Sequence, residues 1–253
     1  MRQGVARLDN LPQGTAVAPE LLRAGSHWRL SRPLDLFSSP YGDGLATQAW
    51  AGRELQILDE TPCRQRLQVQ LAEDGYRGWI EPQQLLGGAS SCTRRRPLLL
   101  AEASISARMQ AVIAFTQAAA AQSNTYLWGG SLGPNYDCSG LMQRAFAASG
   151  IWIPRDAYQQ ERFCQPVAVT PHQFQLLRPG DLIFFGSAQR CTHVGLHLGE
   201  GRYLHSSGSA HGRGGIGIDG LSPRDSHPVA SHYRRELRGA GRVQRCHDGS
   251  HLP

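Results

Sequence analysis

Cys138 stands between Asp137 and Ser139 in the stretch NYDCSGLMQRAF. Asp and Ser begin helices well, because their side-chain oxygens accept from backbone N–H groups that have no partner in the first turn. Leu141, Met142, Ala145 and Phe146 follow at helical spacing and supply an apolar face. The pattern predicts a helix over 138–149, ended by Gly150, with the thiol in its first turn. The N–H groups and the positive dipole end there favour a thiolate, and would lower the thiol pKa from its usual value of about 8.5. The same N–H groups suit a developing oxyanion. A buried core thiol, a metal ligand and a nucleophile remain open readings of Cys138 from this stretch alone.

A nucleophilic sulfur needs a base. Of the ten histidines, three stand in one hairpin, CTHVGLHLGEGRYLHSSG at 191–208. Val194, Leu196 and Leu198 alternate and should face a core, which leaves His193, Gly195 and His197 on the other face. A turn about Gly199 would set His193 opposite His205, with about 5 Å between their Cβ atoms. His205 could then orient His193 through a ring hydrogen bond, and a slip of one residue would put them on opposite faces. His193 and His197 are four apart, but along a strand they lie roughly 13 Å from one another, too far to share an ion. His197 is expected to pack or face solvent. His211, His227, His232, His247 and His251 fall in turn-rich or terminal segments and are expected to be solvated.

These residues need a scaffold, and the 253-residue chain has room for one large or two modest domains. Its 29 glycines and 15 prolines suggest many turns and much β-structure. Short strand-like runs at 34–37, 54–58, 66–71 and 76–80 predict a small all-β barrel over 28–86. An N-terminal arm, 1–27, shows no periodicity. Residues 87–99, including GGASSCTRRRP, read as a linker by composition. A second domain over 100–245 begins with an amphipathic helix at 104–122. The Cys138 helix comes next, then strands at 181–185, 193–198 and 202–205, and a last one near 233–243. That order, helices and then an antiparallel sheet, is α+β. Residues 246–253 form a tail.

The net charge of +6 gives a positive field without the basic and aromatic interleaving of a nucleic-acid binder, so no nucleic-acid partner is expected. Arg94-Arg95-Arg96 reads as a solvated part of the linker. No stretch reads as a secretory signal or a membrane span, which makes the cytoplasm the expected location and leaves no membrane partner. The six cysteines form no C–x–x–C, so reduced thiols and no metal or cofactor are expected.

The motifs YLWGGSLGPNYDCSG, PRDAYQQ and LRPGDLIFFG followed by THVGLHLGEGRYLHSSG resemble the NlpC-type papain-like cysteine peptidases that cut bacterial cell-wall peptides. The resemblance covers about 100–243. The 28–86 barrel resembles a bacterial SH3-like domain. Its pairing with this catalytic domain, EDGYRGWI included, is similar to the cyanobacterial γ-D-glutamyl-L-diamino acid endopeptidases. The resemblance implies Cys138 as nucleophile, His193 as general base and His205 as the orienting residue, with Tyr126 near the oxyanion. It implies a murein-peptide substrate, L-Ala-γ-D-Glu-diamino acid. Asp137 and Tyr76, reaching across from the barrel, would accept from the free ammonium. Ser139, Arg155 and Asp156 would contact the D-Glu carboxylate and nearby backbone. Gly129-Gly130 would let backbone approach the substrate closely. The implied role is wall-peptide recycling. Two rival functions are a wall-binding module on a silent peptidase fold, and a thiol acyltransferase or amidase on the same fold.

Overall fold

Two units divide the chain: one runs to Pro97 and includes Gly249–His251, and the other is Leu98–Asp248 with Leu252. The computed structural model describes residues 11–94 and 96–252. Ten residues of the expected arm, Arg95 of the expected linker and Pro253 of the expected tail lie outside the described residues.

The first unit is a seven-stranded antiparallel sheet: β1 (His27–Leu30), β2 (Leu34–Phe37), β3 (Leu45–Ala49), β4 (Glu54–Ile57), β5 (Leu67–Leu71), β6 (Arg77–Ile80) and β7 (Ala89–Ser91), in the order β3-β2-β6-β5-β4-β1-β7. The alternation at Leu67, Val69 and Leu71 buries all three in one core with Trp28, Leu36, Leu55, Ile57 and Ile80. The expected boundaries shift in three places. Val17 and Leu22 of the expected arm are buried in this core, because the segment supplies apolar residues the barrel alone lacks. The expected linker contributes β7, whose backbone pairs with β1. Part of the expected tail, Gly249–His251, packs on the β5–β6 turn. Gly75 has φ +66° there, and a side chain at that position would strike the Ser250 carbonyl.

The second unit comprises α1 (Glu102–Ser106), α2 (Met109–Ala120), α3 (Cys138–Ala148), α4 (Ala157–Phe163), β8 (Gln165–Val167), β9 (Leu182–Gly186), β10 (Cys191–Gly199), β11 (Arg202–Ser207), β12 (Gly215–Gly220), α5 (Pro228–Arg235) and β13 (Leu237–Arg242). Its six strands form an antiparallel sheet in the order β12-β11-β10-β9-β13-β8. Leu182, Phe184, Val194, Leu196 and Leu204 pack against Val112 of α2 and against Leu141, Met142 and Phe146 of α3. Ile183, Phe185 and Tyr203 pack with Val229 and Tyr233 of α5. The sheet is therefore covered on both faces, and the face expected to carry His193 away from a core is itself buried. The helix expected at 104–122 breaks into α1 and α2. The last strand expected at 233–243 is instead the end of α5 followed by β13; Pro228 at the first helical turn and His227 as its cap start that helix. Among the described residues no helix is long and apolar enough to cross a membrane.

Candidate active site

Helix α3 opens at the thiol because Asp137 caps it: one carboxylate oxygen accepts from Gly140 N–H at 2.6 Å. The other accepts from Gly129 N–H at 2.9 Å. The Arg155 guanidinium grips both oxygens, at 3.1 and 2.7 Å, and donates to Ser139 Oγ at 2.9 Å. A side chain at Gly140 would lie 2.1 Å from the Gly130 carbonyl, so the first turn seats directly on the Gly129-Gly130 loop. The close approach expected of this glycine pair is thus made by the protein's own helix start.

The Cys138 sulfur accepts N–H bonds from Ser139 and from Val194, the residue after His193. Burial pushes the thiol up to about 12, with the Asp137 charge adding to the rise; the two N–H bonds and the Arg155 charge oppose it. The expectation that the helix start would lower this pKa is corrected: desolvation outweighs the dipole. Burial acts in the opposite direction on His193, driving its imidazole well below 6.5, and His205 and His232 add to the fall while Asp219 opposes it. Thiol and imidazole are both neutral at rest.

His193 Nε2 lies 2.7 Å from His205 Nδ1. The observed β10–β11 register pairs Leu196 with Leu204 and His197 with Tyr203, so His205 falls opposite Gly195 rather than opposite His193. The expected turn centre is off by one residue, which moves each cross-strand partner by two. A shift of two preserves the face, so the rings still meet, now on a diagonal across the space that Gly195 leaves open. His197 is buried, with Nδ1 on the Arg178 carbonyl at 3.0 Å and Nε2 accepting from Gly201 N–H at 3.2 Å, a packing role. His247, expected to be solvated, is buried as well.

Tyr126 is half-buried. Burial, then the charges of Cys138 and Asp137, push its phenol upward, so it stays a protonated donor near the thiol. Ser139 and Arg155 are buried with Asp137. Asp156 stands at the cap position of α4. Tyr76 belongs to the first unit, where its ring packs beside the barrel core. Among the described residues no group of three or more His, Cys, Asp or Glu is placed to hold a metal ion.

Two residues of this site carry no motif in the reading of the sequence. Tyr233 of α5 stacks on His193 with ring centroids 4.2 Å apart and meets His205 edge-on at 5.0 Å. Asp219 of β12 takes His205 Nε2 at 2.8 Å and is gripped by Arg213 Nη2 at 2.8 Å. The alternation of Ile216 and Ile218 was the available signal for β12, with Asp219 out of phase and therefore on the histidine face.

Residues 123–234 match the NlpC/P60 family, and residues 36–85 match the bacterial dipeptidyl-peptidase Sh3 domain. A γ-D-glutamyl-L-lysine dipeptidyl-peptidase of Bacillus subtilis is 42% identical over 84 residues, 32% of this chain and 27% of that protein. A bifunctional muramidase/DL-endopeptidase of the same organism is 37% identical over 92 residues, 35% of this chain and 26% of that protein. The chain thus spans about a quarter of the length of these curated relatives. A crystal structure of an NlpC/P60 family protein from Bacillus cereus shares the fold, with a TM-score of 0.60 at 18% identity, covering 87% of this chain and 100% of that one. The second unit is an NlpC/P60 domain with the α+β, papain-like architecture of that family, and the first unit carries a bacterial SH3-like domain.

Proposed function

We propose that this NlpC/P60 domain is a cysteine peptidase that hydrolyses the γ-D-glutamyl–diamino acid bond of murein peptides bearing a free N-terminal L-Ala. The observation that carries the reading is the seating of the Cys138 sulfur on the Val194 N–H, next to a His193 whose far nitrogen is tied to His205. The name of the similar Bacillus subtilis protein, a γ-D-glutamyl-L-lysine dipeptidyl-peptidase, supports the choice of bond.

Because burial keeps both partners neutral, the thiol gives its proton to His193 as sulfur attacks, rather than beforehand. The S–C bond forms and the carbonyl becomes an oxyanion, with Cys138 N–H and the Tyr126 phenol as proposed donors. His193 then passes the proton to the leaving amine as the C–N bond breaks. Water, deprotonated by the same imidazole, releases the acyl group and restores the thiol.

Asp137 keeps 11% of its side chain exposed, and is the carboxylate proposed to meet the ammonium of L-Ala. Arg155, at 1%, acts on substrate chiefly by holding Asp137 and Ser139 in place; Asp156 at the α4 cap is the proposed neighbour of the D-Glu backbone.

Incubation with L-Ala-γ-D-Glu-diaminopimelate should release L-Ala-D-Glu, read by mass spectrometry, and Cys138→Ala should release none. No dipeptide from the wild type, or full turnover by Cys138→Ala, overturns the reading. The same assay run with N-acetylated peptide and with intact sacculi tests the ammonium requirement and the preference for released peptides that recycling in the cytoplasm demands.

A further inference from the structure

We propose that Asp219 is a positioning residue that fixes the proton arrangement of both imidazoles, leaving Nδ1 of His193 as the lone-pair nitrogen available to the thiol. The inference rests on the reading of Cys138 and His193 as nucleophile and base. It follows from the direction in which each hydrogen bond must run.

An ionised carboxylate only accepts. Burial alone would raise Asp219, but hydrogen bonds and charges from His205 and Arg213 outweigh it and hold the carboxyl down at about 2. The 2.8 Å contact to Oδ2 therefore places a proton on His205 Nε2. Burial keeps His205 neutral by lowering its pKa, so its Nδ1 carries the lone pair. The 2.7 Å contact from that nitrogen must then receive the Nε2–H of His193. One acceptor at the end of the line thus determines the tautomer two rings away. When Sγ–H passes its proton to His193 Nδ1, no other proton in the line has to move.

The sheet is built for this line. His193, His205 and Asp219 lie on the same face of β10, β11 and β12. His205 is flanked by Gly195 on one side and paired with Gly217 on the other. A side chain at Gly195 would lie 2.8 Å from the Tyr203 ring and 3.3 Å from His205 Cβ. One at Gly217 would lie 2.6 Å from Arg213, displacing the guanidinium that holds Asp219. Both His205 and Asp219 side chains are fully buried.

Direction, more than charge, is what Asp219 supplies. Arg213 binds it through two nitrogens and its charge opposes that of Asp219 at His205, and among the influences on His193 the Asp219 charge is the weakest. The charged and titratable groups around the line are His232 and Tyr233 near His193, Tyr203 and Tyr233 near His205, and Arg213 and His227 at Asp219, with Cys138 and Glu236 acting on Tyr233 and Asp225 on Tyr203 and Arg213. None of them is a second acceptor for His205 Nε2.

Asp219→Asn tests this directly, because an amide can turn its NH2 toward His205 Nε2 and reverse the line, putting the proton on His193 Nδ1. Nitrogen NMR of histidine-labelled protein should show His193 protonated on Nε2 in the wild type and on Nδ1 in Asp219→Asn. The variant's kcat on the dipeptide-releasing assay should fall about 10⁴-fold with KM nearly unchanged, the loss seen when the carboxylate of a Ser–His–Asp triad becomes an amide. Asp219→Glu, which can only accept, should recover part of the loss. A wild-type His193 protonated on Nδ1 overturns the proposal, and so does an Asp219→Asn variant with the wild-type tautomer and kcat within about threefold. The wild-type spectrum decides even if Asp219→Asn fails to fold. It also needs no substrate, so a wild type that cleaves no murein peptide would overturn the proposed function while the tautomer assignment still stood or fell by itself.

Discussion

Asp137 with Arg155 and Asp219 with Arg213 are the same chemical pair used at the two ends of one line. In each, the guanidinium reaches both carboxylate oxygens. The difference lies in what else the carboxylate holds. Asp137 also accepts from the backbone N–H groups of Gly129 and Gly140 and from the Ser139 hydroxyl, none of which changes its protonation. Asp219 holds an imidazole, which can. The first pair therefore fixes where the sulfur sits, and the second fixes where the protons sit. Their exposure differs to match: the Arg155 side chain is 1% exposed and that of Arg213 is 32%. Breaking either pair strands a carboxylate, since Asp137 is 11% exposed and Asp219 is fully buried.

Arg155→Met should give the largest effect. It strands the Asp137 carboxylate in the α3 start and should lower stability by about 3–5 kcal/mol, read as a fall in the urea midpoint. A loss under about 1 kcal/mol would show that the backbone N–H groups alone hold Asp137, and the contrast between the two ends would lose its basis.

Gly195→Ala should be smaller. The added methyl would lie 2.8 Å from the buried Tyr203 ring, 3.2 Å from the Leu204 carbonyl and 3.3 Å from His205 Cβ, so ring or backbone must shift. Overpacking of this kind costs about 1–3 kcal/mol. It should also push His205 off His193, so kcat should fall by more than the stability change accounts for. Unchanged kcat would mean that the diagonal His193–His205 contact is not sensitive to its spacing.

The same contrast explains what the sequence made legible. The Asp137 end sits within a few residues of Cys138, so capping chemistry and apolar spacing located the helix start to the residue. The two histidines were found by strand alternation, and the error of two in register did no harm because side chains repeat every two residues. The Asp219 end is assembled from separate strands. Its strand, GIGIDG, has glycine at three of six positions and little β-propensity, so the pattern predicts no strand there. Helix α5, and with it Tyr233 over the rings, was hidden by a run of charged residues that reads equally as an exposed strand. The direction of the thiol shift also lay beyond the sequence. A helix start is a local feature, but the burial that outweighs it is made by β10 arriving from more than fifty residues away in the chain.

The smallest expected change in turnover comes from Arg213→Met, and its value is that it separates charge from direction at the Asp219 end. Activity requires His193 unprotonated, and burial sets its pKa well below 6.5, so the acid limb of kcat/KM in the wild type should have its midpoint below 6.5. Arg213 pushes His205 downward by its charge and shares Asp219 with it. Removing the guanidinium leaves the carboxylate's charge uncancelled beside the rings, which favours their protonated forms, so the limb should move to higher pH. The carboxylate still only accepts, so the tautomers and the plateau kcat should hold. Because the fully buried Asp219 carboxylate loses its cation, stability should fall as well, read in the same urea midpoint. A plateau collapse equal to that of Asp219→Asn would show that Arg213 and Asp219 act as one unit, and that direction alone does not explain the second pair. A limb that stays in place would show that Asp219's charge does not reach the imidazoles even when uncancelled.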